Sequence, residues 1–484
     1  MRQPPNLPNP HVIIVGAGAS GILLASALVR PPTPLHVTLV DPQPGRGVAY
    51  AGRGPHQLLN TRVGNMSLDV ASPSGFQDWL GTFHPRGGWS ADDFAPRSRF
   101  GDYLEQRLAS LTDRTPGLGS TRVIRSRAAA AERTATGWSV RLASGERIEA
   151  PTLVLASGLA RPRPLLFQGR EAIDDSRVQD DPWDKEGLRG LPRGAQVLLI
   201  GAGPTAIDVA EAIWRRDPET KVIAVSRHGL LPRIHASPAP SSPALTAPYP
   251  TTARELYAKL RAAAEFVEGD GALRHGVFLG LREIGAKLWA GLPDEERLMF
   301  LRHFRRYWDV ERHRLPPSQG ANLAEAVAHG RFELVRGRLG EAKPLAGEMV
   351  RVGLHTSQGP RALTVGLIIN CTGPEPDPFR SRNALLLDLL AQGAAAADPL
   401  GLGLHVDEES AVLDGRGQPA GGLYAMGALT QGRFFEITGI AEIRAQAEQL
   451  ATLILASDAV APLTRQAGGA VVAFRATSPR AAWS

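Results

Sequence analysis

The sequence predicts an α/β fold with two copies of one strand–turn–helix unit, the second interrupted by a block of helices. Three observations carry this prediction. First, the apolar run and glycine turn Val12-Ile-Ile-Val-Gly16-Ala-Gly18-Ala-Ser20-Gly21 returns as Val197-Leu-Leu-Ile-Gly201-Ala-Gly203-Pro-Thr205-Ala206. Second, each copy has a further apolar run, and both runs end 25 residues after the first glycine, at Asp41 and at Ser226. Third, each copy closes with a hairpin and an apolar strand that ends in Ser157-Gly158 or Thr372-Gly373.

The turn has a physical reading. The first glycine permits a tight turn out of a parallel strand. The second lets the backbone approach a pyrophosphate. The third position, Gly21 or Ala206, lets the helix lie close to the strand. Free N–H groups at the helix N-terminus then face the anion. Two such units predict two Rossmann-type dinucleotide-binding domains. Asp41 suits a ribose with a free 2′-hydroxyl, which assigns FAD to Gly16, Gly18, Ser20, Gly21 and Asp41. Ser226 brings no carboxylate to repel a 2′-phosphate, and Arg227 brings a fork of donors. NADPH is therefore assigned to Gly201, Gly203, Thr205, Ala206, Ser226 and Arg227. A solvated loop arginine is the other reading of Arg227.

The remaining elements follow in order. The stretches Gly45–Tyr50 and Leu58–Asn60 read as loops. Trp138 to Glu149 reads as a hairpin turning at Ser144-Gly145, and Met349 to His355 as one turning at Gln358-Gly359. Residues 238–250 read as a Pro/Ser/Ala linker. Residues 252–330 read as helices, with Leu256, Leu260, Ala263 and Ala264 on one stripe. Arg297 to Arg314 holds six arginines against Asp309 and Glu311. That run is either a solvated amphipathic helix or a cap that offers Arg312 or Arg314 to an acidic substrate or to the NADPH phosphate. Gly421 to Gly427 reads as a strand ending in glycine, and Arg433 to Arg444 as the opening of a long helix. Gly427 can approach a ribityl-pyrophosphate there, and the helix start near Ile437, Thr438 and Gly439 can stabilise a reduced flavin. The expected organisation is residues 1–160 and 375–466 for the FAD-binding domain. The NADPH-binding domain takes 161–374 with its helical insertion at 245–330, and 467–484 form a loose tail.

Composition sets bounds. The chain has 484 residues, a net charge of +6 and one cysteine, Cys371. A lone cysteine forms no disulfide within the chain and fits a reducing cytoplasm. It also excludes flavin disulfide reductases, which need a redox pair. No Cys/His cluster indicates a metal, and no aromatic-and-basic pattern indicates nucleic acid. Val12 to Val29 lacks charge over 18 residues, but its glycine spacing identifies a strand, turn and helix rather than a membrane span.

Several stretches resemble one family. They are Gly47-Val-Ala-Tyr50, Gln57-Leu-Leu-Asn60 with Asn65-Met66-Ser67, Asp181-Pro-Trp183-Asp184, Arg227 to Arg233, Trp308 to Arg314, and Gly432-Arg-Phe-Phe-Glu-Ile437. The resemblance spans roughly 11–455. The family is a bacterial group of FAD/NAD(P)-binding oxidoreductases related to amino-acid N-oxygenating flavoenzymes, including those that turn aspartate into nitrosuccinate. It implies that Asn60 to Ser67, with Asn60 and Met66 among them, lies along the flavin ring. A better-known monooxygenase motif has phenylalanine, glycine and histidine where this chain has Phe167, Gly169 and Ile173.

The expected activity is an NADPH-dependent FAD monooxygenase. It would use dioxygen, through a flavin hydroperoxide, to oxygenate nitrogen in a small amine or amino acid. No protein nucleophile is needed, and no catalytic side chain is assigned. A reductase feeding a quinone or a protein is the alternative, and a flavin-binding regulator the third reading.

Overall fold

The structure is a computed structural model that describes residues 12–30, 35–52, 54–113, 119–184, 186–236, 247–266 and 271–457. The sequence before Val12, most of the expected linker and the expected tail lie outside the described residues.

Strand Val12–Val15 lies inside a six-stranded sheet, between His36–Val40 and Thr152–Leu155 and parallel to both. Ser120–Ile124 extends one side; Pro419–Ala425 and Ala411–Leu413 extend the other. Only the last pair is antiparallel among these neighbours. A strand covered on both faces reads as an unbroken apolar run, and Val12 to Ile14 are fully buried. Helices Ala19–Leu28, Arg97–Thr112 and Ile440–Ala456 cover one face. A three-stranded sheet (Ala128–Thr134, Gly137–Leu142, Arg147–Ala150) and helix Ala384–Ala391 cover the other.

The second sheet has seven strands. Phe332–Leu345, Val222–Ser226, Val197–Ile200, Leu367–Asn370 and Val178–Gln179 are successive parallel neighbours. The long strand Phe332–Leu345 then turns at a bulge and continues as an antiparallel meander with Met349–Thr356 and Gly359–Val365. The expected hairpins form here and in the first unit. Helices Pro204–Arg216 and Pro317–Ala328 pack on this sheet through Ile207, Ile213, Leu323 and Ala326.

Helix Pro317–Ala328 thus belongs to the second sheet, although the expected insertion runs to 330. The inserted helices proper are Ala253–Phe266, Gly271–Gly291, Asp294–His303 and Arg305–Arg312. They build their own core from Leu256, Leu260, Phe278, Leu288, Trp289, Phe300 and Trp308. Leu402 and Phe435, from the returning C-terminal segment, complete it.

One local expectation changes. Gly47–Tyr50 is one helical turn rather than a loop, because Tyr50 packs on Phe100 with ring centroids 4.8 Å apart. The helix that opens within Arg433 to Arg444 has Gly439 as its N-cap, beside the start expected near Ile437 to Gly439, and the residues before it are not part of it. A short turn ends at Phe434, Phe435 takes φ 48°, and the long helix starts at Ile440.

Candidate functional site

Both glycine turns sit where parallel strands end, and their geometry follows from missing side chains. Gly16 has φ 111°, and a Cβ there would lie 2.3 Å from the Ala156 carbonyl oxygen. A Cβ on Gly21 would lie 1.9 Å from the Gly16 oxygen. The helix therefore packs against the turn at a distance that a side chain would forbid. Gly18 caps that helix with no side-chain capping bond and no acidic residue in the first turn, leaving its positive end free for an anion.

Asp41 stands at the end of strand His36–Val40. Its Oδ2 accepts from Ala17 N at 2.8 Å and its Oδ1 from Gln43 N at 2.7 Å. These bonds fix the carboxylate, and each oxygen keeps a further lone pair for a ribose hydroxyl. Gly427 reaches the same turn from the far end of the chain: a Cβ on it would lie 2.4 Å from Ser20 Oγ. Gln446 holds this approach by accepting from Gly427 N at 2.7 Å. Met66 is 2 % exposed and packed in the core, which leaves its backbone rather than its side chain for a flavin. Ile437 is buried and Thr438 exposed, just before the long helix.

The second turn repeats the first with one informative difference. Gly201 has φ 116°, and its Cβ would lie 2.4 Å from the Cys371 oxygen. A Cβ on Gly203 meets nothing within 4 Å. Gly203 thus borders open space at the uncapped N-terminus of helix Pro204–Arg216, and this is the cradle a pyrophosphate requires. Thr205 and Ala206 form the first turn of that helix. Cys371 is buried, and burial raises its thiol far above the ordinary range, so it is no nucleophile.

Beyond Ser226 the charge is strongly positive. Ser226 Oγ accepts from Gly229 N at 3.0 Å, closing the loop that carries Arg227. Parallel pairing sets Arg336 opposite Ser226. Burial lowers the His228 pKa first, and the charges of Arg306, Arg227, Arg336 and Arg338 lower it further. Four guanidiniums therefore act on one small loop. Of these four, only Arg227 stands next to the strand end that the sequence marks. The Arg336-x-Arg338 spacing on a strand was the available signal, since such residues share a face.

The two units meet beside these turns. Arg97 approaches Asp208 of helix Pro204–Arg216 at 3.6 Å. His235 Nε2 donates to the Asn60 carbonyl at 3.0 Å, and Arg62 Nη2 donates to the Ala236 carbonyl at 2.7 Å. Ala236 N donates to His275 Nδ1 at 3.3 Å. Burial, then nearby arginines, lower His235 to about 4 and His275 to about 3, so both rings are neutral at pH 7. His235 Nδ1 is buried without a hydrogen-bond partner.

The substrate role expected for Arg312 and Arg314 gives way to an internal one. Arg314 is 4 % exposed; Nη2 donates to Glu311 Oε2 at 2.6 Å, Nε to the Glu311 carbonyl at 2.8 Å and Nη1 to the Ile234 carbonyl at 3.0 Å. Arg312 Nη2 donates to Glu436 Oε2 at 2.6 Å, and Trp308 Nε1 to Oε1 at 2.6 Å. Burial opposes the Glu436 charge, but Arg312 and the indole N–H outweigh it and hold its pKa below the ordinary value. Ile173, where the other motif has histidine, is a buried core residue. Among the described residues no His/Cys/Asp/Glu group could hold a metal, and no helix is long and apolar enough to cross a membrane.

Known proteins resemble this chain in sequence and in fold. Residues 13–160 match the FAD-NAD(P)-binding family model. A FAD-dependent urate hydroxylase of Xanthomonas campestris pv. campestris is 32% identical over 249 residues, 47% of this chain and 50% of that protein. The chain thus spans about half the length of this curated relative. The ornithine N-hydroxylase of Kutzneria sp. 744 superposes with a TM-score of 0.61 at 18% identity, covering 92% of this chain and 99% of that one. The L-lysine 6-monooxygenase of Pseudomonas syringae gives 0.63 at 19% identity over the same shares. Residues 13–160 are thus similar to FAD-NAD(P)-binding domains, and the chain shares the overall fold of these two enzymes.

Proposed function

We propose that the protein is an NADPH-dependent FAD monooxygenase that oxygenates the nitrogen of a small amine or amino acid, with dioxygen as co-substrate. The carrying observation is the contrast between two otherwise matched strand ends. One offers the fixed carboxylate of Asp41, and the other Ser226 amid four arginines. A carboxylate favours a free ribose, and guanidinium forks favour a 2′-phosphate. The first turn, with Ser20 and Gly427, would hold FAD, and Gly201, Gly203, Thr205 and Ala206 would hold the NADPH pyrophosphate.

Bound flavin supplies hydride acceptance and oxygen activation. The chain supplies binding, orientation and exclusion of water. The His235–Asn60 bond draws the second unit onto the segment expected along the flavin. The names of the hydroxylase relatives support oxygenation. The buried lone thiol supports a route without disulfide exchange.

Gly203→Asp tests the nucleotide assignment. A Cβ at position 203 meets nothing within 4 Å, and Asp is a good N-cap, so the variant should fold. Its charge would repel the pyrophosphate. The variant should keep bound FAD and lose flavin reduction by NADPH. Unchanged reduction would refute the assignment. The reaction class is tested by oxygen uptake with a panel of amines and amino acids. At least one should couple NADPH oxidation to an N-oxygenated product with little peroxide. Turnover with a quinone alone, under argon, would indicate an electron-transfer oxidoreductase instead.

A further inference from the structure

A second arginine cluster gathers where the inserted helices meet the segment after strand Val222–Ser226, and it shares no residue with the cluster beside Ser226. Its centre is Glu311, which is 5 % exposed. Arg314 Nη2 binds Glu311 Oε2 at 2.6 Å. Arg274 donates to Oε1 through Nε at 2.9 Å and Nη2 at 2.7 Å, and Arg233 Nε stands 3.5 Å from the same oxygen. Three guanidiniums thus share one carboxylate, an excess of two positive charges. Burial pulls Arg314 down to about 10; Glu311 opposes this, but Arg233, Arg274 and Arg312 add to it.

The three arginines are not equivalent. Arg314 is buried with its donors engaged. Arg233 keeps a side chain 57% exposed. Its backbone is nevertheless pinned: Arg233 N donates to the Val310 carbonyl at 3.1 Å, and Leu315 N donates to the Arg233 carbonyl at 2.8 Å. The pinned backbone fixes where this side chain starts, and its contact with Glu311 keeps the guanidinium beside the cluster while leaving it open to an anion from solvent. Its place is also informative. Two residues further on, His235 holds the Asn60 carbonyl, on the segment expected to lie along the flavin.

We propose that Arg233, backed by Arg274, anchors the carboxylate of a small acidic substrate at the junction of the inserted helices and the Asn60 segment. This rests on the monooxygenase reading and adds a substrate class to it. The anion supplies the negative charge that Glu311 alone cannot. A nucleotide phosphate has the same chemistry, but Arg227, Arg306, Arg336 and Arg338 already provide a separate cluster for it at the strand end that would meet the ribose.

Calorimetry on the FAD-loaded protein without NADPH tests this at low salt. The probes are succinate, for a carboxylate, and 2′,5′-ADP, for the nucleotide phosphate. Succinate should bind the wild type. Arg233→Gln should weaken it about ten- to a hundredfold, the range for a charge-assisted contact, and Arg233→Lys should weaken it less. Neither should shift 2′,5′-ADP affinity more than about twofold, whereas Arg336→Gln should weaken 2′,5′-ADP and spare succinate. Absence of succinate binding to the wild type would overturn the proposal. So would equal succinate binding by Arg233→Gln, or an equal loss of both probes in that variant. No turnover is needed. A protein that binds succinate through Arg233 but is never reduced by NADPH would refute the monooxygenase reading alone.

Discussion

Asp41 and Ser226 occupy matching strand ends, and in the proposed function this one difference partitions the two nucleotides. Arg227→Glu should raise the KM for NADPH about ten- to a hundredfold more than that for NADH, read by initial rates with each. Equal increases would remove Arg227 from the 2′-phosphate. Glu311 carries a different burden, since it neutralises Arg314 inside the protein. Glu311→Gln should cost about 3–5 kcal/mol in denaturant unfolding, because it leaves a buried cation unpaired. The histidines set an acid limit. His235 and His275 have folded pKa values near 4 and 3, against an ordinary 6.5, so the unfolded chain takes their protons first. Their contribution to stability is complete above about pH 6.5 and declines as pH falls toward 3. For buried His275 the slope approaches about 1.4 kcal/mol per pH unit. Melting curves from pH 8 to 4 should fall less steeply in His275→Asn than in the wild type; equal slopes would contradict this. The glycines, Asp41 and Ser226 were legible because local spacing defines them. The His235–Asn60 and Arg336–Ser226 pairings join residues more than a hundred positions apart, so only the fold could reveal them.

At the scale of elements, the inserted helices are latched to the returning C-terminal segment. Phe435 stacks on Trp289 with centroids 4.4 Å apart, and Trp289 Nε1 donates to the Gly432 carbonyl at 2.8 Å. Arg312 and Trp308 close on the adjacent Glu436. The left-handed φ of Phe435 is the backbone cost of presenting this ring and carboxylate together. Phe435→Ala should destabilise by about 3–5 kcal/mol and speed proteolysis within 253–312 above all. Uniform proteolysis along the chain would argue against a latch. Gly439 marks the helix start in the sequence, whereas the positive φ of Phe435 does not show there, because no glycine or asparagine stands at that position. Helix Pro317–Ala328 was drawn into the insertion for a related reason: apolar periodicity marks a buried face but does not say which sheet buries it.

For the whole molecule, the repeated unit made the two-domain fold readable, because each copy states the same strand, turn, helix and hairpin in order. What the repeat could not convey is how the units face one another. Arg97 with Asp208, His235 with Asn60 and Arg163 with Glu375 set that relation through single side chains. The most direct test of the account mixes FAD-loaded protein with NADPH or NADH under anaerobic conditions and follows flavin absorbance in a stopped-flow instrument. The account predicts rapid bleaching by NADPH, much slower bleaching by NADH at equal concentration, and no bleaching by NADPH in Gly203→Asp. A purified chain that takes up no flavin, or holds flavin that NADPH leaves oxidised, would contradict it.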